Sequence, residues 1–263
     1  MPERWSRMLS DADRQNVKAA FGADDAQVER DHLISHALAA ISDDLGERIK
    51  FYGGTALSRT FLPVGRLSED IDLISVGARA DVADALSRSL TRRLAREFGR
   101  PTFQPGLINA RGAEPVTAAF PSGPKVQLQL LPSDHYPAWP FERRELEQRY
   151  ADAGPATLLV PTIDAFVAWK TVTLMDRRAP RDLWDLAALA RLRPFTGAAA
   201  ELFAALGPFR SLPSVSTIPA APAENVWERD LAHQTRLSIT AAQARAEVVR
   251  AWAALAPDGG TTG

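Results

Sequence analysis

Hydrophobic positions along the first half of the chain change period several times, and each change predicts an element. From about Asp24 to Leu45, Val28, His32, Leu33, His36, Ala37, Ala40 and Ile41 recur at helical spacing, with Asp24 or Asp25 as cap and Gly46 as stop. Ile49-Lys50-Phe51-Tyr52 reads as a short strand broken by Gly53-Gly54, and Thr55 to about Phe61 as a short helix halted near Pro63. Arg66 to Ser68 turn into a second strand, Asp70 to Val76. A longer amphipathic helix follows from Asp81 to Phe98. Val82, Leu86, Leu90 and Leu94 form its apolar stripe, and Arg88, Arg92 and Arg96 form another. Three more strands are expected around Thr102 to Phe103, Val116 to Phe120 and Val126 to Leu131. The last two are joined as a hairpin by Pro121-Ser122-Gly123-Pro124.

After Pro132 the pattern turns to helix and loop. Helices are expected near Thr162 to Asp176, Arg181 to Ala190, Ala198 to Leu206 and Glu224 to Leu255. Ser211 to Ala223, rich in proline, serine and alanine, reads as an irregular loop, and the tail from Pro257 onward as disordered. The expected architecture is therefore α+β: a mixed core over residues 1–132, then a helical lobe over 133–263 that closes a cleft.

Composition narrows the function classes. The 263 residues are 46% hydrophobic and 24% charged, the profile of a globular protein. There is no cysteine, which excludes disulfides, thiolate zinc sites and a cysteine nucleophile and fits a cytoplasmic location. No apolar run approaches the roughly 18 residues of a membrane span, and the first residues carry no secretory core. A net charge of −1 announces no nucleic-acid partner, so any such surface must be a local basic patch. The arginines of the Asp81 to Phe98 helix fit either a solvated face or an RNA backbone.

The chemistry-bearing residues lie around the second strand. Asp70 and Asp72, two apart on a strand, point to one face, where two carboxylates repel unless a cation lies between them. Their hard oxygens suit Mg²⁺ or Mn²⁺; taken alone, the spacing also fits two surface acids on an edge strand. Upstream, Gly53-Gly54 between strand and helix leaves backbone N–H groups open to a phosphate. Thr55 adds a hydroxyl there, and Arg59 and Arg66 add positive charge. Ser68 shares the face of Asp70 and Asp72 by alternation.

Gly53-Gly54-Thr55-Ala56-Leu57-Ser58 followed by Arg66-Leu67-Ser68-Glu69-Asp70-Ile71-Asp72-Leu73 resembles the AbiEii/AbiGii (MenT-type) nucleotidyltransferase toxins of the polymerase-β-like superfamily. Glu29-Arg30-Asp31 on the approach helix, Lys170, and Arg181-Asp182 with Asp185-Leu186 extend the resemblance to most of the chain. It implies a polymerase-β-like core with a mixed sheet. The implied activity is transfer of a nucleoside monophosphate from an NTP to an acceptor hydroxyl, with Mg²⁺-dependent release of pyrophosphate. Asp70 and Asp72 are then metal ligands, Gly53, Gly54, Thr55, Arg66 and Ser68 bind the nucleotide, and Lys170 and Asp182 join the two aspartates as catalytic residues. The implied acceptor is a tRNA 3′ end, and the implied partner a cognate antitoxin. A protein or small-molecule acceptor, or NTP binding without transfer, are the alternatives.

Lys170 interrupts the apolar stripe of Ile163, Phe166, Val167 and Leu174; it either snorkels out or faces a triphosphate or carboxylate. If it binds phosphate, Lys170→Met should keep the stripe and even raise stability, whereas a variant that melts early would mark the lysine as structural. Asp182 and Asp185 follow Pro180-Arg181; capping is one reading for Asp182, and the active-site role that the resemblance implies is the other, with Asp185 supporting it through Arg181 or a neighbouring loop. Many enzymes of the superfamily carry a third carboxylate on a later strand, where Lys125-Val126-Gln127-Leu128-Gln129-Leu130 offers glutamines, which carry no charge. Asp182 as third acid, a substrate-assisted base or a weak metal position would each answer that lack. His32 and His36 share one helix turn, but no glutamate follows His32 as in a zincin helix, so they read as a core or interface pair.

Overall fold

The side-chain oxygen of Ser10 accepts from the Asp13 N–H and Gly22 turns the chain left-handed at φ 71°, closing helix α1 (Asp11–Phe21) at both ends. The computed structural model describes residues 9–209 and 211–255, so the segment from Pro257 onward lies outside the described residues. Helix α2 (Asp25–Leu45) is capped by Asp24, whose carboxylate accepts from the Gln27 N–H. Then come β1 (Ile49–Tyr52), α3 (Gly53–Ser58), β2 (Asp70–Ser75), α4 (Arg79–Leu94), β3 (Thr102–Gln104), β4 (Val116–Ala119) and β5 (Lys125–Pro132). The chain continues through β6 (Phe141–Glu145), β7 (Thr157–Pro161), α5 (Ile163–Arg177), α6 (Pro180–Leu192), α7 (Gly197–Leu206), α8 (Glu224–Leu231) and α9 (Ala241–Ala253).

The described chain forms two compact units. One comprises the residues through Tyr136 together with Glu142–Val160; the other comprises Pro137–Phe141 and the chain from Pro161 onward. The seven strands form one mixed sheet in the order β3-β4-β5-β2-β1-β7-β6. At its centre β2 pairs antiparallel with β1 and parallel with β5, and β4 and β5 form the expected antiparallel hairpin. From Asp70 to Leu73 the burial alternates as a half-covered strand requires, and Ile74 and Ser75 are both buried. Ile71 and Leu73 are fully buried, each contributing about 1.5–3 kcal/mol, while Asp70 and Asp72 remain half-buried on the opposite face.

Two expectations fail here. The chain after Pro132 is not all helix and loop, because β6 and β7 return to the sheet of the first unit, β7 lying parallel to β1 through Lys50 and Leu159. The division of the chain therefore falls after Val160 rather than at residue 132, apart from the short excursion of Pro137–Phe141. Phe141-Glu-Arg-Arg-Glu is too charged to show an apolar period, and Thr157-Leu-Leu-Val-Pro is too short to be told from a loop; pairing partners define both strands. The predicted single helix from Glu224 to Leu255 is two. Thr240 and Gln243 form a capping box that starts α9 afresh, and the Trp227 indole N–H donates to the Ile239 carbonyl across the break at 3.0 Å.

A buried polar cluster holds α3 in place. Asp31 on α2 accepts from the Arg59 guanidinium at 2.8 Å and from the Tyr150 hydroxyl at 3.0 Å, with Arg149 at 3.4 Å. Arg59 also donates to the carbonyls of Glu147 at 2.9 Å and Asp31 at 3.1 Å. Arg59 was expected to lend charge to a phosphate; it is instead wholly buried and engaged inside the protein. Burial pushes its pKa down to about 10, and Asp31 opposes that shift, so it stays charged at neutral pH. The arginines of α4 are also partly engaged: Arg88 pairs with Asp84, while Arg92 and Arg93 each reach Asp44 on α2 at 2.6 Å.

The second unit is helical. In it α6 packs on α9 and α5 on α7, with Trp252 fully buried and its indole N–H donating to Thr171 Oγ1 at 3.2 Å. The segment from Ser211 to Ala223 is irregular, as expected.

Candidate active site

Gly53 explains the local geometry of the first unit. It begins α3 at φ +79°, a left-handed conformation that favours glycine, and a Cβ built there would collide with the Asp72 carboxylate. Gly54 has no spare room either: its Cβ would lie 2.6 Å from Arg66 Nη2 and 3.5 Å from Ser68 Oγ. The Gly53-Gly54 turn therefore brings together the residues that the spacing suggested, namely Asp72, Arg66 and Ser68. Tyr52, the residue before α3, makes no side-chain cap bond to the first N–H groups of that helix. Arg66 and Ser68 are almost fully buried; Arg66 Nη1 donates to the Leu67 carbonyl at 3.2 Å, and the Ser68 carbonyl accepts from Gln27 at 3.3 Å. Leu67 between them packs with Val17, Phe21, Ala23, Val28 and Tyr150, which anchors the segment to α1 and α2.

Thr55 is placed differently from the expectation. It is buried, and its hydroxyl donates to the Asp70 carbonyl, so it ties α3 to β2 and has no proton left for a phosphate. Ser68 precedes the first residue of β2, and it reaches the site through the turn rather than through strand alternation.

The glutamine departure is confirmed in register. Asp70 stands opposite Gln127 and Asp72 opposite Gln129 across the parallel β2–β5 pair. Gln129 accepts from the Tyr52 hydroxyl at 2.7 Å and donates to the Ala113 carbonyl at 2.6 Å, so its amide is held at both ends. Two carboxylates on one face beside a glycine turn, with neutral neighbours on the next strand, fit a small hard dication such as Mg²⁺. Such an ion needs one or two protein carboxylates and keeps its other positions for water and phosphate.

A replacement at the turn separates close approach from mere loop flexibility. Gly53→Ala is expected to displace the Asp72 carboxylate and to reduce nucleotide transfer at least about tenfold, one decade being about 1.4 kcal/mol of barrier. Gly77→Ala, at φ +90° but with open space around it, carries only the strain and should leave transfer unchanged. Equal losses in the two variants, measured as transfer rates with folding checked by circular dichroism, would remove Gly53 from the site.

The second unit holds its own charged cluster. The Lys170 ammonium donates to Asp182 Oδ1 at 3.0 Å and lies 2.7 Å from Asp185 Oδ2. Arg177 closes on Asp182 from the other side at 2.6 and 2.9 Å. Burial of Asp182 opposes its ionisation, but Lys170 and Arg177 outweigh that and hold its carboxyl well below the usual carboxylate range. Asp182 is therefore an anion at neutral pH and a poor proton acceptor. Asp185 meets Lys170 directly. The spacing of Lys170 within an apolar stripe signalled a partner; nothing in it identified the two aspartates that meet it.

A family model described as nucleotidyl transferase AbiEii toxin, type IV toxin–antitoxin system, matches residues 36–258. The chain belongs to this family. It is a nucleotidyltransferase, and membership implies an NTP substrate and an antitoxin partner. Among curated protein sequences none matches. Among solved structures the chain is similar to MenT4, a nucleotidyltransferase toxin from Mycobacterium tuberculosis H37Rv, at 22% identity and a TM-score of 0.68. That likeness covers 91% of this chain and 88% of the other, and it supports the mixed-sheet fold of this nucleotidyltransferase. An antigenic nucleotidyltransferase-like protein from Paracoccidioides brasiliensis is similar at 18% identity and a TM-score of 0.42, over 65% of this chain and 80% of that one. No helix among the described residues is long and apolar enough to cross a membrane.

Proposed function

We propose that this nucleotidyltransferase moves a nucleoside monophosphate from an NTP onto the hydroxyl of a tRNA 3′ end. The observation that carries the site is the contact of the Asp72 carboxylate with the Gly53 turn, which sets the acidic face of β2 beside the first turn of α3, where Tyr52 makes no side-chain cap bond. Asp70 and Asp72 would hold Mg²⁺ or Mn²⁺, which when bound neutralises the triphosphate and polarises its α-phosphorus. The missing side chains of Gly53 and Gly54 admit the Asp72 carboxylate and the Arg66 guanidinium to the turn proposed to bind the phosphates, and Ser68 adds a hydroxyl there. Thr55 positions rather than binds, keeping α3 fixed to the strand that bears Asp70.

In the transfer, the acceptor oxygen forms a bond to the α-phosphorus and the bond to the bridging oxygen breaks, releasing pyrophosphate. Gln129, opposite Asp72, carries no charge and cannot act as the base, and we assign the acceptor proton to a non-bridging phosphate oxygen of the NTP. Lys170 remains a proposed catalytic residue: an ammonium shared between two carboxylates can exchange one of them for a phosphate oxygen. The choice of tRNA rests on the resemblance to MenT-type toxins.

Incubation of the protein with each α-labelled NTP, total RNA and graded Mg²⁺ tests the reading. Label in tRNA, absent under chelation and restored by Mg²⁺, is the expected result. Label on protein or a small molecule would overturn the acceptor, and NTP binding without any transfer would overturn the enzymatic role of Asp70 and Asp72.

A further inference from the structure

A second cluster of ligand-type side chains lies in the first unit, separate from the acidic face of β2. His32 and His36, one turn apart on α2, converge with Asp152 from the segment before β7 and Glu97 from just beyond α4. The three central atoms form a nearly equilateral triangle. His32 Nε2 lies 2.9 Å from Asp152 Oδ2, His36 Nε2 lies 3.3 Å from the same oxygen, and the two ring nitrogens are 3.1 Å apart.

Hydrogen bonds alone cannot satisfy that triangle. A linear bond uses one proton per edge, and the two ring nitrogens together carry two protons at most at these positions. If both protons point at the carboxylate, two N–H groups face one another across the remaining 3.1 Å edge. If one points at its neighbour, an oxygen–nitrogen edge is left with lone pairs opposed. A cation at the centre accepts a lone pair from all three atoms at once. Bonds of about 2.0–2.1 Å in tetrahedral geometry put neighbouring ligand atoms about 3.3 Å apart, close to the separations seen.

The surroundings have the form of a metal site. Glu97 Oε2 stands 3.7 Å from His36 Nδ1, the ring nitrogen facing away from the triangle, where an outer carboxylate fixes the tautomer and orientation of a metal-bound imidazole. Phe98 packs against both imidazoles, with ring centroids at 5.5 and 5.3 Å, and Tyr150 against His32 at 4.9 Å, which sets the planes of the rings. His32 is buried and the other three residues half-buried, so two carboxylates and two imidazoles share a largely covered place that a dication would balance. Imidazole nitrogen directs the site to a borderline ion rather than to Mg²⁺.

We infer that His32, His36 and Asp152 bind a divalent transition cation of the Zn²⁺ type, with Glu97 orienting His36 and water completing the tetrahedron. The ion joins α2 to the segment that carries Asp152. The adjacent residues Asp31, Arg149 and Tyr150 join the same two segments and reach Arg59 behind α3. It acts as a cross-link of the first unit, not as a second centre of transfer.

The test uses the full chain with Asp70→Asn and Asp72→Asn, which removes the other carboxylate pair, after treatment with a chelator. One equivalent of Zn²⁺ should bind and raise the melting temperature, and Co²⁺ in its place should give the strong visible d–d bands of four-coordinate cobalt. Adding His36→Gln or Asp152→Asn should abolish stoichiometric binding, and Glu97→Gln should weaken it about 10–100-fold. No zinc bound by the Asp70→Asn/Asp72→Asn protein, or undiminished binding after Asp152→Asn, would overturn the site. The cobalt spectrum of the parent decides the matter should the histidine variant fail to fold: absence of four-coordinate bands rejects it.

Discussion

Replacing Asp70 or Asp72 by asparagine is expected to lower nucleotide transfer by more than about 100-fold while leaving the fold intact, a loss of about 2.7 kcal/mol of barrier lowering. Asparagine keeps the size and removes the charge that a Mg²⁺ ion requires. Both side chains sit on the half-covered face of β2, whereas Ile71 and Leu73 supply the buried packing, so unfolding should not accompany the loss. The measurement is label transfer at saturating NTP and graded Mg²⁺, with circular dichroism on each variant. Activity above about a tenth of wild type in both variants would take the pair out of the metal site, since one decade is only about 1.4 kcal/mol.

Lys170→Met is expected to destabilise the protein by about 3–5 kcal/mol, the scale for removing one partner of a buried ion pair. This reverses the expectation from the apolar stripe alone, by which methionine should have stabilised the helix. The reason is the pair of carboxylates that the substitution would leave facing each other: Asp182 and Asp185 are both buried, and both meet the ammonium. The pH dependence has a defined sign. Asp182 has a depressed pKa in the folded protein, so its contribution is present above the unfolded value near about 4 and is lost as pH falls through the lower folded value. The gap between wild type and Lys170→Met should be widest at neutral pH and should narrow as pH falls from about 4 toward the lower folded value of Asp182. Denaturant melts across that range check it; a variant as stable as wild type at pH 7 would mean that the cluster contributes no net stability. Nucleotide affinity, measured where the variant is still folded, should fall by roughly 1.5–3 kcal/mol if the ammonium also meets a phosphate.

The parts of this protein that could be read in advance are those written in short stretches of chain. The α2 stripe with its Asp24 cap, the β4–β5 hairpin and the glycine turn before Asp70 and Asp72 all depend on neighbours within a few residues. What escaped reading depends on distant partners. Thr157-Leu-Leu-Val-Pro becomes a strand because β1, more than a hundred positions earlier, offers an edge, as the Lys50–Leu159 register shows. Arg59 looked like a phosphate ligand because it follows the glycine turn, and only the approach of Asp31 and Glu147 makes it an anchor. The two histidines of α2 showed the same limit: their spacing was visible, but Asp152 and Glu97 were not. Helix α1 has few apolar positions, with only Val17 and Phe21 buried, so its period was weak despite good caps.

The sheet order has a consequence for synthesis on the ribosome. The acidic strand β2 is complete by residue 75, yet its neighbours in the sheet include β5 and, beyond β1, strand β7, which ends at Pro161. Arg149 and Tyr150, which grip Asp31, also emerge well after the residues they hold. At about 5–20 residues per second, several seconds separate the appearance of the aspartates from that of their last supports. A nascent chain that already displays Asp70 and Asp72 therefore still lacks the scaffold that fixes them. With the transfer site proposed on β2, that order withholds the chemistry until β7 has left the exit tunnel.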